Sequence, residues 1–164
     1  MHTRRGFIAS LAGLAAAWLT RPALAQTQPF VVYDDELKNG WQSWSWAKVD
    51  LAVAAGGVKP IKVQGDPWSA LALHHDAFPT AGYTKLTFSI NGGGQGGQML
   101  TVKAMVDGKP VDSSFVIQPK AKTWTQVEVP LKELAIEGKT IDGIAWQGQA
   151  TAYSPYYITR IQFE

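Results

Sequence analysis

Apolar residues beyond residue 26 recur with period two, and no stretch sustains a 3.6-residue period over three turns. Phe30-Val31-Val32-Tyr33 is a short opening run. In Trp44–Val53 the apolar side is Ala47, Val49, Leu51 and Val53. Leu71 and Leu73 alternate with smaller residues, and Leu86, Phe88 and Ile90 alternate with Lys85, Thr87 and Ser89. Leu100, Val102, Ala104 and Val106 form the next stripe, followed by the turn Asp107-Gly108-Lys109-Pro110 and the run Val111–Ile117. Thr123–Val129, Ile141–Gly148 and Tyr156–Phe163 complete the series. Eight to ten short strands separated by turn residues predict an all-β antiparallel β-sandwich of jelly-roll type. Pro130-Leu131-Lys132-Glu133-Leu134 is the one helix-like piece, a single turn with Pro at its start.

Strand parity also sorts the tryptophans. One face of an alternating strand is apolar for the core, and the other is expected to be polar. Trp44 and Trp46 fall on the even side with Lys48 and Asp50. Trp68 and His74 lie opposite the leucines of their strand. Trp124 shares its side with Gln126 and Glu128. Four indoles are thus expected on solvated faces, where large apolar surface is costly unless covered. Either loops or strand bulges return them to the core, or they form a platform for a ligand. Flat rings beside Lys, Gln, Glu and His suit a sugar, whose C–H face stacks on the ring while its hydroxyls hydrogen-bond at the edge. The expected carbohydrate-binding residues are Trp44, Trp46, Trp68, His74, Lys103, Trp124, Gln126 and Glu128. Trp146 shares parity with Ile144 and is expected in the core, and Trp41 is expected to plug one end. Tyr153, Tyr156 and Tyr157 around Ser154-Pro155 are expected at a loop rim.

The first 25 residues read as an export signal. Arg4-Arg5 precede the apolar run Phe7–Leu19, and Ala23-Leu24-Ala25 supplies a small-x-small cleavage pattern, with Ala23 and Ala25 as its small residues. The run is too short for a membrane span. Thr3-Arg4-Arg5-Gly6-Phe7-Ile8 resembles the twin-arginine signal of bacterial export. A single domain over 26–164, periplasmic or extracellular, is therefore expected, monomeric and without a membrane partner once the signal is removed. Outside residues 1–25 there are 12 Lys/Arg against 13 Asp/Glu, a balance that lacks the basic footprint of nucleic-acid binding. The absence of cysteine excludes disulfides, thiolate metal sites and cysteine nucleophiles.

Catalytic signatures are missing. Sugar hydrolysis needs two carboxylates about 5–10 Å apart, and Glu128 has no evident partner. His74-His75 are adjacent, so on a strand they point to opposite faces and cannot easily chelate one metal. No Gly-x-Ser-x-Gly elbow is present. Asn91-Gly92-Gly93-Gly94-Gln95-Gly96-Gly97-Gln98 lacks the Gly-Lys-Ser/Thr ending of a phosphate cradle and is expected to be a flexible hairpin loop.

Val32-Tyr33-Asp34-Asp35-Glu36-Leu37, Gly40-Trp41-Gln42-Ser43-Trp44-Ser45-Trp46, Leu86–Gly93, Trp124–Leu131 and Tyr156–Ile161 resemble the strands of secreted β-jelly-roll modules attached to glycoside hydrolases. The resemblance spans nearly all of 30–164 and implies a galactose-binding-like or carbohydrate-binding-module fold. It implies a secreted module that binds poly- or oligosaccharide without cleaving it. The alternatives are an envelope structural or protein-interaction domain using the same aromatic patch, and a polysaccharide hydrolase or lyase on this fold. Many such modules hold a structural calcium ion, for which Asp34, Asp35 and Glu36 supply hard oxygen ligands. The family's usual Asp-Asp pair in the last strand is replaced by Thr159-Arg160, so a solvated acidic turn neutralised by Arg160 is the alternative.

Overall fold

The computed structural model describes residues 27–113 and 115–164. The export signal and its cleavage residues Ala23 and Ala25 lie outside the described residues. Among the described residues, twelve strands make two antiparallel sheets: β1 Phe30–Tyr33, β2 Gln42–Ser43, β3 Lys48–Asp50, β4 Ile61–Gly65, β5 Ala70–Pro79, β6 Lys85–Asn91, β7 Leu100–Val106, β8 Lys109–Pro110, β9 Val116–Ile117, β10 Trp124–Pro130, β11 Thr140–Gly148 and β12 Tyr153–Phe163. One sheet, the front, has the order β2-β5-β11-β7-β8, with β9 also on β7. The back sheet has the order β10-β6-β12-β4-β3, with β1 also on β12.

The alternation seen in the sequence builds the core between them. Leu71, Leu73, Leu100, Val102, Ala104, Ile144 and Trp146 point inward from the front sheet. Leu86, Phe88, Ile90, Val129, Ile158 and Ile161 meet them from the back. The Phe88 ring meets Trp146 edge-on at 5.2 Å between centroids. Trp146 is fully buried, and Trp41 closes one end against Phe163 and His75. A buried Leu, Ile, Val or Phe contributes roughly 1.5–3 kcal/mol relative to exposure, so these stripes carry the fold.

Several sequence expectations are corrected. Trp44–Val53 is not one strand. It begins beside β2 in the front sheet and continues into β3 of the back sheet, and after Asp50 it leaves the sheet in a turn in which Ala52 has φ 55°. Leu51 is consequently 44% exposed rather than core. Val111–Ile117 keeps only β9 as a strand. No helix forms over Pro130–Leu134, where the chain makes successive turns closed by the hydrogen bonds Glu133 N–H to Pro130 O and Leu134 N–H to Leu131 O. Tyr153, Tyr156 and Tyr157 lie within β12 instead of a loop, and Tyr156 is fully buried.

The glycine-rich segment is a fastened connection. Gly92 N–H and Gly97 N–H donate to Lys120 O and Pro119 O, and Lys122 N–H donates back to Gly93 O. Glycine is required at Gly93 on two counts. Its φ is +64°, and a Cβ there would lie 2.3 Å from Pro155 O.

Candidate functional site

The outward positions of the front sheet form a shallow trough. Leu71 and Leu73 face the core, so Ala70, Ala72 and His74 face out from β5. Ile144 and Trp146 likewise leave Gly143, Ala145 and Gln147 facing out from β11, and Thr101, Lys103 and Met105 face out from β7. Register sets the rows: Gly143 pairs with His74 on one side and Met105 on the other, Ala145 with Ala72 and Lys103, and Gln147 with Ala70 and Thr101. The alanines Ala70, Ala72 and Ala145 are the floor, a small apolar cluster separate from the main core and buried beneath the larger outward side chains around it.

Three tryptophans stand along one edge. Trp44 N–H donates to Ala72 O at 2.9 Å and Trp46 N–H to Ala70 O at 3.1 Å, extending β2 past its last regular pair. Between them Ser45 Oγ accepts from Ala72 N–H and donates to Ala72 O, so a hydroxyl replaces a rung of the ladder and both indoles stay on the outer side. Trp68 has φ 64°, a left-handed conformation costing a side-chain-bearing residue about 1–2 kcal/mol. Its backbone is held from three sides: its N–H donates to Gln149 O, and its O accepts from Trp46 Nε1 and Gln147 Nε2, both at 3.0 Å.

The rings are large, exposed and oriented. Trp44, Trp46 and Trp68 are 59%, 52% and 58% exposed. The Trp44 ring stacks on His74 at 3.5 Å and 13°. Its Nε1–H donates to Gln42 Oε1 at 3.2 Å, and that of Trp46 is spent on Trp68 O. These two rings therefore offer π surface rather than hydrogen-bond donors. Lys103 stands across the floor from Trp44 and has no ion-pair partner among the described residues. The outward positions just named on β5, β7 and β11 carry no carboxylate.

The eight residues expected at one site divide between two faces. Trp44, Trp46, Trp68, His74 and Lys103 share the trough. Trp124, Gln126 and Glu128 lie on β10, at the edge of the back sheet. Parity correctly puts the Trp124 ring outside, at 43% exposure, but on the other side of the sandwich. Around it the back face is a polar surface, with Glu128 ion-paired to Lys85, which also reaches Glu164. Hydrogen bonds from Gln162 and Thr87, with Lys85, hold the Glu164 carboxyl below its ordinary range, and the two carboxylates push the Lys85 ammonium up. His75 is apart from the trough, its ring nitrogens against the Asp76 and Asn39 carbonyls.

Gln42, Ser45, Gln147 and the alanine floor were missed by sequence reasoning. The same parity rule applied to Ala145 and Gln147 finds two of them. Gln42 and Ser45 become visible only as neighbours of the Trp44 and Trp46 rings.

Asp34, Asp35 and Glu36, the expected calcium ligands, lie together in the turn that follows β1. Asp35 Oδ1 accepts the Lys59 N–H at 2.7 Å. Glu36 is paired with Lys38, whose hydrogen bond and charge lower its carboxyl from the ordinary value. Two of the three carboxylates thus have protein partners, and no group of three His, Asp or Glu side chains placed to hold a metal ion is found among the described residues.

No family model matches the sequence. An endoglucanase from Dictyostelium discoideum is 28% identical over 143 residues, and the match takes in 79% of this chain. The chain spans only about one fifth of that relative's length, 20%. Among solved structures, a family 29 carbohydrate-binding module superposes with a TM-score of 0.61 at 13% identity, covering 83% of this chain and 87% of the other. A lysine-to-alanine variant of such a module complexed with cellulohexaose gives 0.62 at 13%, covering 85% and 92%. An aspartate-to-alanine variant complexed with mannohexaose gives 0.59 at 12%, covering 83% and 90%. The chain has the two-sheet sandwich fold of these modules.

Proposed function

We propose that this chain is an exported module that binds oligo- or polysaccharide in the front-sheet trough without cleaving it. Pyranose rings lie on the faces of Trp44, Trp46 and Trp68. His74, Lys103, Gln147 and Thr101 hydrogen-bond the hydroxyls. The observation that carries this reading is the row of three exposed indoles fixed over an alanine floor. Leaving them in water forgoes roughly 1.5–3 kcal/mol of burial each, and Trp68 adds backbone strain, so the arrangement stabilises something other than the fold alone. The likeness to modules solved with cellulohexaose and mannohexaose supports the same ligand class. Binding without cleavage is supported by the outward positions of β5, β7 and β11, which carry no carboxylate where glycoside hydrolysis ordinarily uses two. Residues 1–25 support export to the periplasm or beyond, and among the described residues no helix is long and apolar enough to cross a membrane.

Open troughs with few anchors give micromolar to millimolar dissociation constants. The test is retention on a panel of insoluble and soluble polysaccharides. The wild type is retained on at least one polymer, and Trp44→Ala/Trp46→Ala is not. Equal retention of the two proteins on every polymer refutes the proposal.

A further inference from the structure

The trough does not stop at Trp68. Beyond the Gln147–Thr101 pair, Gln149 follows the end of β11 and Met99 precedes the start of β7, and Met99 is 42% exposed. Both residues line a cavity of about 200 Å³ at this end of the sheet, together with Gln95, Gly97, Thr151 and Ser154 among others. Its walls are the glycine-rich connection on one side and the β11–β12 loop on the other.

Both walls are fixed. Gln98 is 4% exposed, and its Nε2 lies within 3.2 Å of the carbonyl oxygens of Gly92 and Pro155, which ties one wall to the other. The backbone bonds from Gly92 and Gly97 to Lys120 and Pro119 anchor the glycine segment from behind. The cavity is also joined to the proposed platform through the backbone, because the Gln149 carbonyl that accepts the Trp68 N–H belongs to a residue lining it. A pre-formed hollow lined by amide and hydroxyl side chains, with one thioether and no ionised group among these six residues, fits a neutral hydroxylated ring.

We infer that this cavity is a terminal saccharide subsite, taking one neutral pyranose residue of the bound glycan beyond the one on Trp68. This rests on the trough being the carbohydrate site. The subsite makes binding depend on glycan length: a chain long enough to reach from Trp44 past Trp68 gains contacts that a shorter one lacks.

The test measures the purified protein by titration calorimetry against cello- and manno-oligosaccharides of increasing length, tetraose to hexaose. The wild type gains about tenfold in affinity at the length that reaches the cavity, equivalent to about 1.4 kcal/mol. Thr151→Trp fills the hollow from an exposed loop position, so it abolishes that gain while leaving the shortest ligand's affinity within twofold. Gln149→Ala reduces the gain without filling the space. Identical length dependence in wild type and both variants overturns the subsite while the trough reading stands. Loss of all binding in Trp44→Ala/Trp46→Ala, with the length step of the wild type intact, supports both. Absence of binding by the wild type to every oligosaccharide and polymer sinks both together.

Discussion

The two outer faces of this sandwich are built from the same kind of strand and do different things with tryptophan. On the front face, the rings of Trp44, Trp46 and Trp68 line one edge. Two of their indole N–H groups are consumed internally, one ring is backed by His74, and one backbone is held in a strained conformation. On the back face, the Trp124 indole has no side-chain hydrogen bond and no ring partner among the described residues, and its strand neighbours are Gln126 and the Glu128–Lys85 pair. Exposure is similar on the two faces, and preorganisation is what separates them. A ring whose position is determined before the ligand arrives costs less ordering entropy on binding. Exposure alone therefore does not define a site.

The largest effect is expected where the comparison is sharpest. Trp44→Ala/Trp46→Ala lowers polysaccharide affinity about 100-fold, taking about 1.4 kcal/mol per stacked ring. Trp124→Ala changes it less than twofold. Affinity electrophoresis of the two variants side by side decides the matter, and a loss in Trp124→Ala matching the double variant would return the back face to the site.

Next in size is a stability contrast between neighbouring glycines. Gly93→Ala drives a Cβ into Pro155 O from a left-handed backbone and costs about 2 kcal/mol or more, whereas Gly94→Ala meets nothing within 4 Å and stays within about 0.5 kcal/mol of wild type. Chemical denaturation reads both. Equal stabilities would mean that the connection is not packed as described.

A smaller change, about tenfold in affinity, is expected from Ala145→Phe, which raises the trough floor. Ala145 is 2% exposed, so the larger ring also overpacks its cover and costs about 1–3 kcal/mol of stability, read as a lowered melting temperature. Unchanged binding would place the ligand elsewhere.

The smallest effect belongs to the back face. Glu164 has its carboxyl held below the ordinary 4.5 by Gln162, Thr87 and Lys85. A carboxyl with a lowered folded-state pKa stabilises the fold above its unfolded value, and that contribution is lost as pH falls through the folded one. The melting temperature should therefore decline slightly below pH 4.5, and Glu164→Gln should flatten the decline. Because the pairs are partly exposed, screening keeps this slight. Polysaccharide binding by Glu164→Gln should match wild type, which separates the two faces once more.

Much of this molecule is legible in its sequence. Leucine, isoleucine and valine at every second position choose the inner side of β5, β6, β7 and β11 without reference to any other strand, because alternate side chains of an extended chain point to opposite faces. The outward placement of Trp124 and the inward placement of Trp146 follow from the same local rule, whereas Trp44, Trp46 and Trp68 lie outside the regular strands and are held outward by the Ser45 bridge and the turn before β5. What parity cannot supply is the identity of the sheet. Whether β10 pairs with β6 or with a front-sheet strand depends on hydrogen bonds between residues far apart in the chain, and Trp124 looks the same in sequence under either pairing. The break at Trp44–Ala47, the strained backbone of Trp68 and the cavity behind the glycines have the same origin. Each exists because distant backbones approach and close one another's hydrogen bonds, and only the folded chain brings them together.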